Sequence, residues 1–247
     1  MHAIDVKAGW RAAPFGIYGI TLAFVLASSA ARAAAMFGPG TWRGIFLLVC
    51  IAMAALPWLV LSRTGRHQVG LQRPRELAWL PLGLALGVLA ASACFWFGFA
   101  LYGAGPDHWF VSIARSFRQQ PTPGFSLLQL HLMFTIVAIL FSPVGEEIFF
   151  RGFLQKVLED RHGRTRATVM EAALFALVHL CHHGILVTSA GITLLPVSAA
   201  LWVAQMFLLS LMFAWLRRKS DSILPSIVAH AAFNAAMNHW IFTRLWV

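Results

Sequence analysis

The stretch Ser142-Pro143-Val144-Gly145-Glu146-Glu147-Ile148-Phe149-Phe150-Arg151-Gly152 decides how this chain is read. It lies at the inner end of a long apolar run, yet it carries two adjacent carboxylates and, four residues after the second, an arginine. A charged side chain at the centre of a membrane helix costs about 2.5–3.5 kcal/mol, so such residues come paired or functional. Glu147 and Arg151 are four apart, share a helical face and are expected to pair. Glu146 is turned from them by about 100° on a regular helix and is expected to face a cavity. The alternative is a purely structural ion pair that fixes helix packing.

Composition sets the frame. Of 247 residues, 59% are hydrophobic and only 11% charged, whereas a soluble domain carries about 25% charged residues. The fold class is therefore all-α, a polytopic membrane helix bundle of about seven to eight transmembrane helices. It is read as one membrane domain over 1–247, with accessory spans in 1–125 and the core in 126–247. The net charge is +10. The basic residues fall in loops between spans, which points to topology and anionic lipid rather than nucleic acid. Cys50, Cys94 and Cys181 are odd in number and scattered in apolar runs, so they form no disulfide framework.

Taken in order, the apolar runs predict spans at about 15–31, 42–61, 77–102, 126–159, 167–180, 197–215 and 223–242. The first has a basic start and an Ala-rich end, Ala27 to Ala33, that also fits a signal peptide; a retained span is preferred because the following chain is itself membrane. Trp109, Phe110, Ile113, Ala114 and Phe117 recur at helical spacing opposite Arg115 and Arg118, which predicts a short interfacial helix. Gly191 and Pro196 predict a re-entrant or interfacial piece over 185–196. Basic residues concentrate at the N-terminus and in the 63–75, 156–166 and 217–219 loops. The positive-inside rule then places the N-terminus in the cytoplasm of a multi-pass protein of the cytoplasmic membrane.

Three predicted spans carry polar residues on one face: Glu146, Glu147 and Arg151; then Glu171, Phe175 and His179; then His230, Asn234 and Asn238. Counting about 1.5 Å per residue from the basic ends, Glu146, His179 and His230 fall at about 15, 18 and 12 Å. They share a layer expected to be reached from the cytoplasm. A carboxylate beside an imidazole activates water, and a His with an Asn donates to a developing oxyanion. The chain lacks Gly-x-Ser-x-Gly and His-Glu-x-x-His, and its four Asp residues lie outside the spans. Serine, aspartyl and standard zinc-helix chemistry are thereby disfavoured. No cofactor is expected; zinc held by His179, His182 and His183 with Glu146 or Glu147 is the alternative.

Glu146-Glu147-x-x-x-Arg151, Phe175-x-x-x-His179 and His230-x-x-x-Asn234, in that order on three spans, resemble the CAAX protease and bacteriocin-processing family, the Abi-type proteins that include the Ras-converting CAAX prenyl endopeptidases. The resemblance covers about 143–234. It implies an intramembrane endopeptidase, glutamic type favoured and metalloprotease the alternative, acting on a membrane-associated or lipidated peptide or protein. By motif position, Glu146 with His179 activates water, His230 and Asn234 stabilise the oxyanion, Glu147 and Arg151 orient the site, and Phe175 lines it. Two other readings are an inactive immunity or scaffold protein and a small proton- or ion-coupled transporter. The absence of an internal repeat disfavours the transporter.

Overall fold

The structure, a computed structural model, describes residues 3–13, 16–120, 122–188 and 191–246. Helices dominate it: α1 (Gly16–Phe37), α2 (Gly44–Val60), α3 (Trp79–Tyr102), α4 (Trp109–Arg118), α5 (Leu127–His162, in several segments), α6 (Arg164–Val178), α7 (Pro196–Ser220) and α8 (Leu224–Trp240). A helix satisfies its own backbone polar groups, which is what hydrocarbon demands. Five helical stretches are long and apolar enough to cross a membrane: α1, α2 with the turn before it, α3, α5 and α7. The other two expected spans, α6 and α8, have 15 and 17 residues; α8 is mostly buried, while α6 keeps Val169 and Leu177 exposed. The chain is an all-α integral membrane bundle.

Helix α8 is the hub. It lies against α3, α5 and α7, and it meets α3 through glycine. A Cβ at Gly87 would stand 2.0 Å from the carbonyl oxygen of Ala229. This is the close backbone approach by which small residues drive association in a bilayer. Gly145 plays the same part between α5 and α2, where a Cβ would stand 2.3 Å from the Cys50 carbonyl oxygen.

Helix α5 is not uniform. It starts on a capping box in which Ser126 and Gln129 satisfy each other's backbone amides. Ser142–Glu146 is α-helical, and Glu147–Leu154 widens to π-helical turns before α geometry resumes at Gln155. All eight residues of the widened segment are buried. Phe149, Phe150 and Phe153 pack there against residues of α1, α2 and α6, so the bundle is closed on that side of the carboxylates.

The basic segments meet at one end. Ile4 N–H donates to Asp160, Asp5 N–H to Gln68, and Arg217 to the Gln68 carbonyl; Arg218 pairs with Glu159, and Arg75 with Asp221. This brings together the segments that loop charge assigned to a single face.

Two local expectations change. Helix α4 does not lie free at an interface: Trp109, Phe110, Ile113 and Ala114 are buried in one core cluster with α3, α7 and α8. Its apolar face has protein to cover rather than lipid alone. The 185–196 piece contains a two-stranded antiparallel hairpin, Ile185–Thr188 with Gly191–Leu194. β-Branched Ile185, Val187, Thr188, Ile192 and Thr193 favour extended backbone, and Pro196 then starts α7 at a position where its missing N–H is harmless.

Candidate active site

Glu146 is buried at the last position before the widened turns. Its Oε1 accepts a hydrogen bond from Ser142 Oγ at 2.6 Å, one helical turn earlier. The same oxygen lies 3.1 Å from Arg32 Nη2 on α1. Both Glu146 and Arg32 are 1% exposed. Sequence spacing left Glu146 free; the structure gives it a guanidinium partner.

Its other oxygen, Oε2, has no hydrogen-bond partner among the described residues and stands 3.8 Å from His179 Nε2. His179 ends α6, where the helix tightens into a final 3₁₀ turn. Its Nδ1 lies 2.7 Å from the Phe175 carbonyl oxygen. A carbonyl only accepts, so Nδ1 carries a proton, and in the neutral ring Nε2 presents its lone pair to Glu146. Trp202 Nε1 donates to the His179 carbonyl at 3.0 Å and fixes the backbone there. Two acceptors at 3.8 Å are too far apart, and of the wrong kind, to bond directly; one water touching both bridges such a gap.

Glu147 faces the other way, into a buried ion cluster. Arg151 Nη1 lies 3.1 Å from its Oε1, and His230 Nδ1 on α8 donates to the same oxygen at 2.8 Å. On its far side, Arg151 Nε stands 3.6 Å from Glu171 Oε1 on α6. Ser210 on α7 donates to the Glu171 carboxylate at 3.3 Å. The expected pair is thus one half of a Glu147–Arg151–Glu171 triad. Phe175 lies beneath it, with the guanidinium carbon 3.8 Å from the ring centroid and the His179 ring 4.3 Å away on centroids. Phe175 therefore separates the ion cluster from the Glu146–His179 pair while touching both.

Asn234, one turn after His230, donates through Nδ2 to the Ala138 carbonyl at 2.9 Å. Asn238 continues that face but bonds Thr135 instead. Glu146, Phe175, His179, His230 and Asn234 all line one cavity of about 370 Å³. The depth match expected from residue counting brings these groups together. Arg151 and Glu147 lie behind the lining.

The cavity runs toward the end of α1, the start of α2 and helix α4, with Met36, Gly44, Ser116 and Gln120 along it. That end is opposite the one where the N-terminus and the basic loops meet. A cytoplasmic basic end and a pocket reached from the cytoplasm therefore cannot both hold. Val137, also on the lining, is 45% exposed.

Of the three histidines suggested as a zinc set, His179 and His182 both line the cavity, their ring centroids 5.5 Å apart, whereas His183 is held between Ser112 and Ser198. Among the described residues, no group of three or more His, Cys, Asp or Glu side chains is placed to hold a metal ion. A cation on Glu146 would also meet the Arg32 guanidinium.

Sequence reasoning passed over Arg32, Ser142, Glu171, Ser210 and Trp202 as site residues. Arg32 carries a signal of its own, a charge inside an apolar run, at the Ala-rich end of the first span. Glu171 shares a face with Phe175 and His179, but its partners come from other helices.

A membrane-embedded all-α bundle with buried carboxylates and imidazoles around a cavity is the class that fold and site define. Residues 128–236 match the family model described as type II CAAX prenyl endopeptidase Rce1-like. The matched segment is just under half of the chain, and over it the protein is similar to the CAAX protease family. That similarity supports a CAAX-type intramembrane endopeptidase in general, a hydrolase acting on peptide or protein. No curated protein matches the chain, and no solved structure does.

Proposed function

We propose that this protease is of the glutamic type and cleaves a membrane-associated or lipidated substrate with water activated by Glu146. The observation that carries the reading is the Glu146 Oε2 to His179 Nε2 geometry, two acceptors 3.8 Å apart on a shared cavity. A water between them donates one O–H to each. Glu146 takes a proton as the water oxygen attacks the scissile carbonyl carbon. The resulting oxyanion receives hydrogen bonds from His230 Nε2–H and Asn234 Nδ2–H. Collapse breaks the C–N bond, and the proton held by Glu146 passes to the leaving amine.

His230 supports that role by position: its Nδ1 is engaged by Glu147 at 2.8 Å and its ring lines the cavity. The exposed flank at Val137 supports a substrate that arrives within the bilayer. The mostly apolar lining suits an apolar or lipidated segment, and a prenylated C-terminus, a bacteriocin leader or a membrane anchor would each qualify.

Glu146→Gln and His179→Ala are expected to lower cleavage by about 10²–10⁴-fold, the range of a lost acid–base group, while the protein still reaches the membrane folded. Cleavage at the unaltered rate by both variants would refute the assignment of the base. Chelation is expected to leave activity intact. Loss on chelation, restored by one metal ion, would instead establish a metalloprotease. An inactive scaffold would keep its cellular phenotype in Glu146→Gln, and a transporter would lose coupled flux.

A further inference from the structure

We propose that Arg32 is a positioning residue for Glu146: with the Ser142 hydroxyl it holds Oε1 and thereby turns Oε2 toward His179. The inference rests on the reading of Glu146 as general base. It adds a residue from α1, which lies wholly outside the matched segment 128–236. The cleavage site is thus completed by a helix that the three motifs do not include.

The pattern of α1 explains how an arginine reaches this place. Its buried residues are Thr21, Val25, Ser28, Arg32 and Ala35, spaced by four and three, a single stripe along the helix. Small residues on the stripe let α1 approach closely, and Arg32 extends from it. The guanidinium lies over the Phe46 ring at 5.1 Å and reaches Met53 Sδ at 3.5 Å. Among the described residues these apolar walls leave it one carboxylate partner, Glu146 Oε1 at 3.1 Å. Its Nε and Nη1 have no hydrogen-bond partner among the described residues. A buried guanidinium so poorly satisfied is costly, and bulk packing alone would be served better by methionine. Clamping the carboxylate is what the charge accomplishes. With Oε1 occupied by two donors, Oε2 remains for water, in the orientation set by the Oε1 clamp. An unclamped carboxylate would rotate about its terminal torsion, which is broad.

The test measures kcat and KM in liposomes for Arg32→Met, Arg32→Lys and Glu146→Gln. The substrate is the peptide that the unaltered protein cleaves fastest from a pooled prenylated and unprenylated library. Arg32→Met is expected to lower kcat by about 100-fold, the scale of a misplaced catalytic group, with KM nearly unchanged. Arg32→Lys, which keeps charge without the planar fork, should recover part of the loss. Melting temperatures of Arg32→Met, Glu146→Gln and their double variant supply a reading independent of turnover. The double variant should be more stable than the sum of the single losses predicts. Wild-type kcat in Arg32→Met, or strictly additive losses in stability, would overturn the proposal. So would full kcat in Arg32→Lys beside an unfolded Arg32→Met, which would reduce Arg32 to charge neutralisation. A fully active Glu146→Gln would instead refute the base itself, whatever the Arg32 variants do.

Discussion

At the scale of the residue, adjacent glutamates do different work because the chain turns them to different neighbours. Glu146 meets Arg32, Ser142 and His179, whereas Glu147 meets Arg151 and His230. Glu147→Ala and Arg151→Ala each strand a buried charge, and removal of one partner from such a pair costs about 3–5 kcal/mol. Both variants should therefore lose melting temperature together with activity, as thermal denaturation in detergent would report; unchanged stability in both would count against the cluster. The division of labour between the glutamates was legible, since a four-residue spacing to Arg151 is visible in the sequence. The occupant of the free side was not. Arg32 lies 114 residues away in the chain, and no local pattern connects a residue on α1 with one on α5. Glu171 was hidden likewise, because its meaning depends on how α6 packs against α5.

At the scale of the element, α5 places its two glutamates at the junction where α geometry gives way to π turns, between Glu146 and Glu147. Wider turns of this kind occur often at functional sites, and here they redistribute three aromatic and two charged side chains within a fully buried segment. A wheel drawn at 100° per residue described this stretch only approximately. Gly145 is pressed against the Cys50 carbonyl of α2, one residue before Glu146, the proposed base. Gly145→Val should accordingly push α5 from α2 and displace Glu146. The expected result is an overpacking loss of about 1–3 kcal/mol with activity reduced more than Glu146-independent packing changes would explain. Wild-type melting and cleavage in that variant would show that the contact is unimportant. Hairpin geometry at 185–194 was missed for a simple reason: a short apolar stretch between helices was read from its Gly and Pro, while its β-branched content was given no weight.

At the scale of the whole molecule, α5, α6, α7 and α8 from the matched segment and α1, α2 and α4 from outside it converge on a cavity that leads away from the basic end. Composition alone made the bundle legible, because a chain so apolar has few ways to satisfy its backbone in lipid. The direction of the cavity was not legible, since counting residues from the basic ends gives depth but not which end is closed by Phe149, Phe150 and Phe153. If the basic end is cytoplasmic, as loop charge suggests, the cavity leads to the opposite face. Gln120→Cys, beside the cavity, should then react with a membrane-impermeant maleimide in intact cells. His67→Cys, exposed at the basic end, should react only after permeabilisation. The background would carry alanine at Cys50, Cys94 and Cys181. The reverse labelling would place the basic end outside and the cavity toward the cytoplasm.

The central claim is that Glu146 cleaves peptide bonds, and it is tested most directly by comparing protein termini in cells that carry the unaltered chain with those in cells that carry Glu146→Gln at equal membrane abundance. A defined set of termini, from one or a few membrane-associated proteins, should be present with the unaltered chain and absent with Glu146→Gln. Identical termini in the two, with both proteins folded in the membrane, would contradict the account.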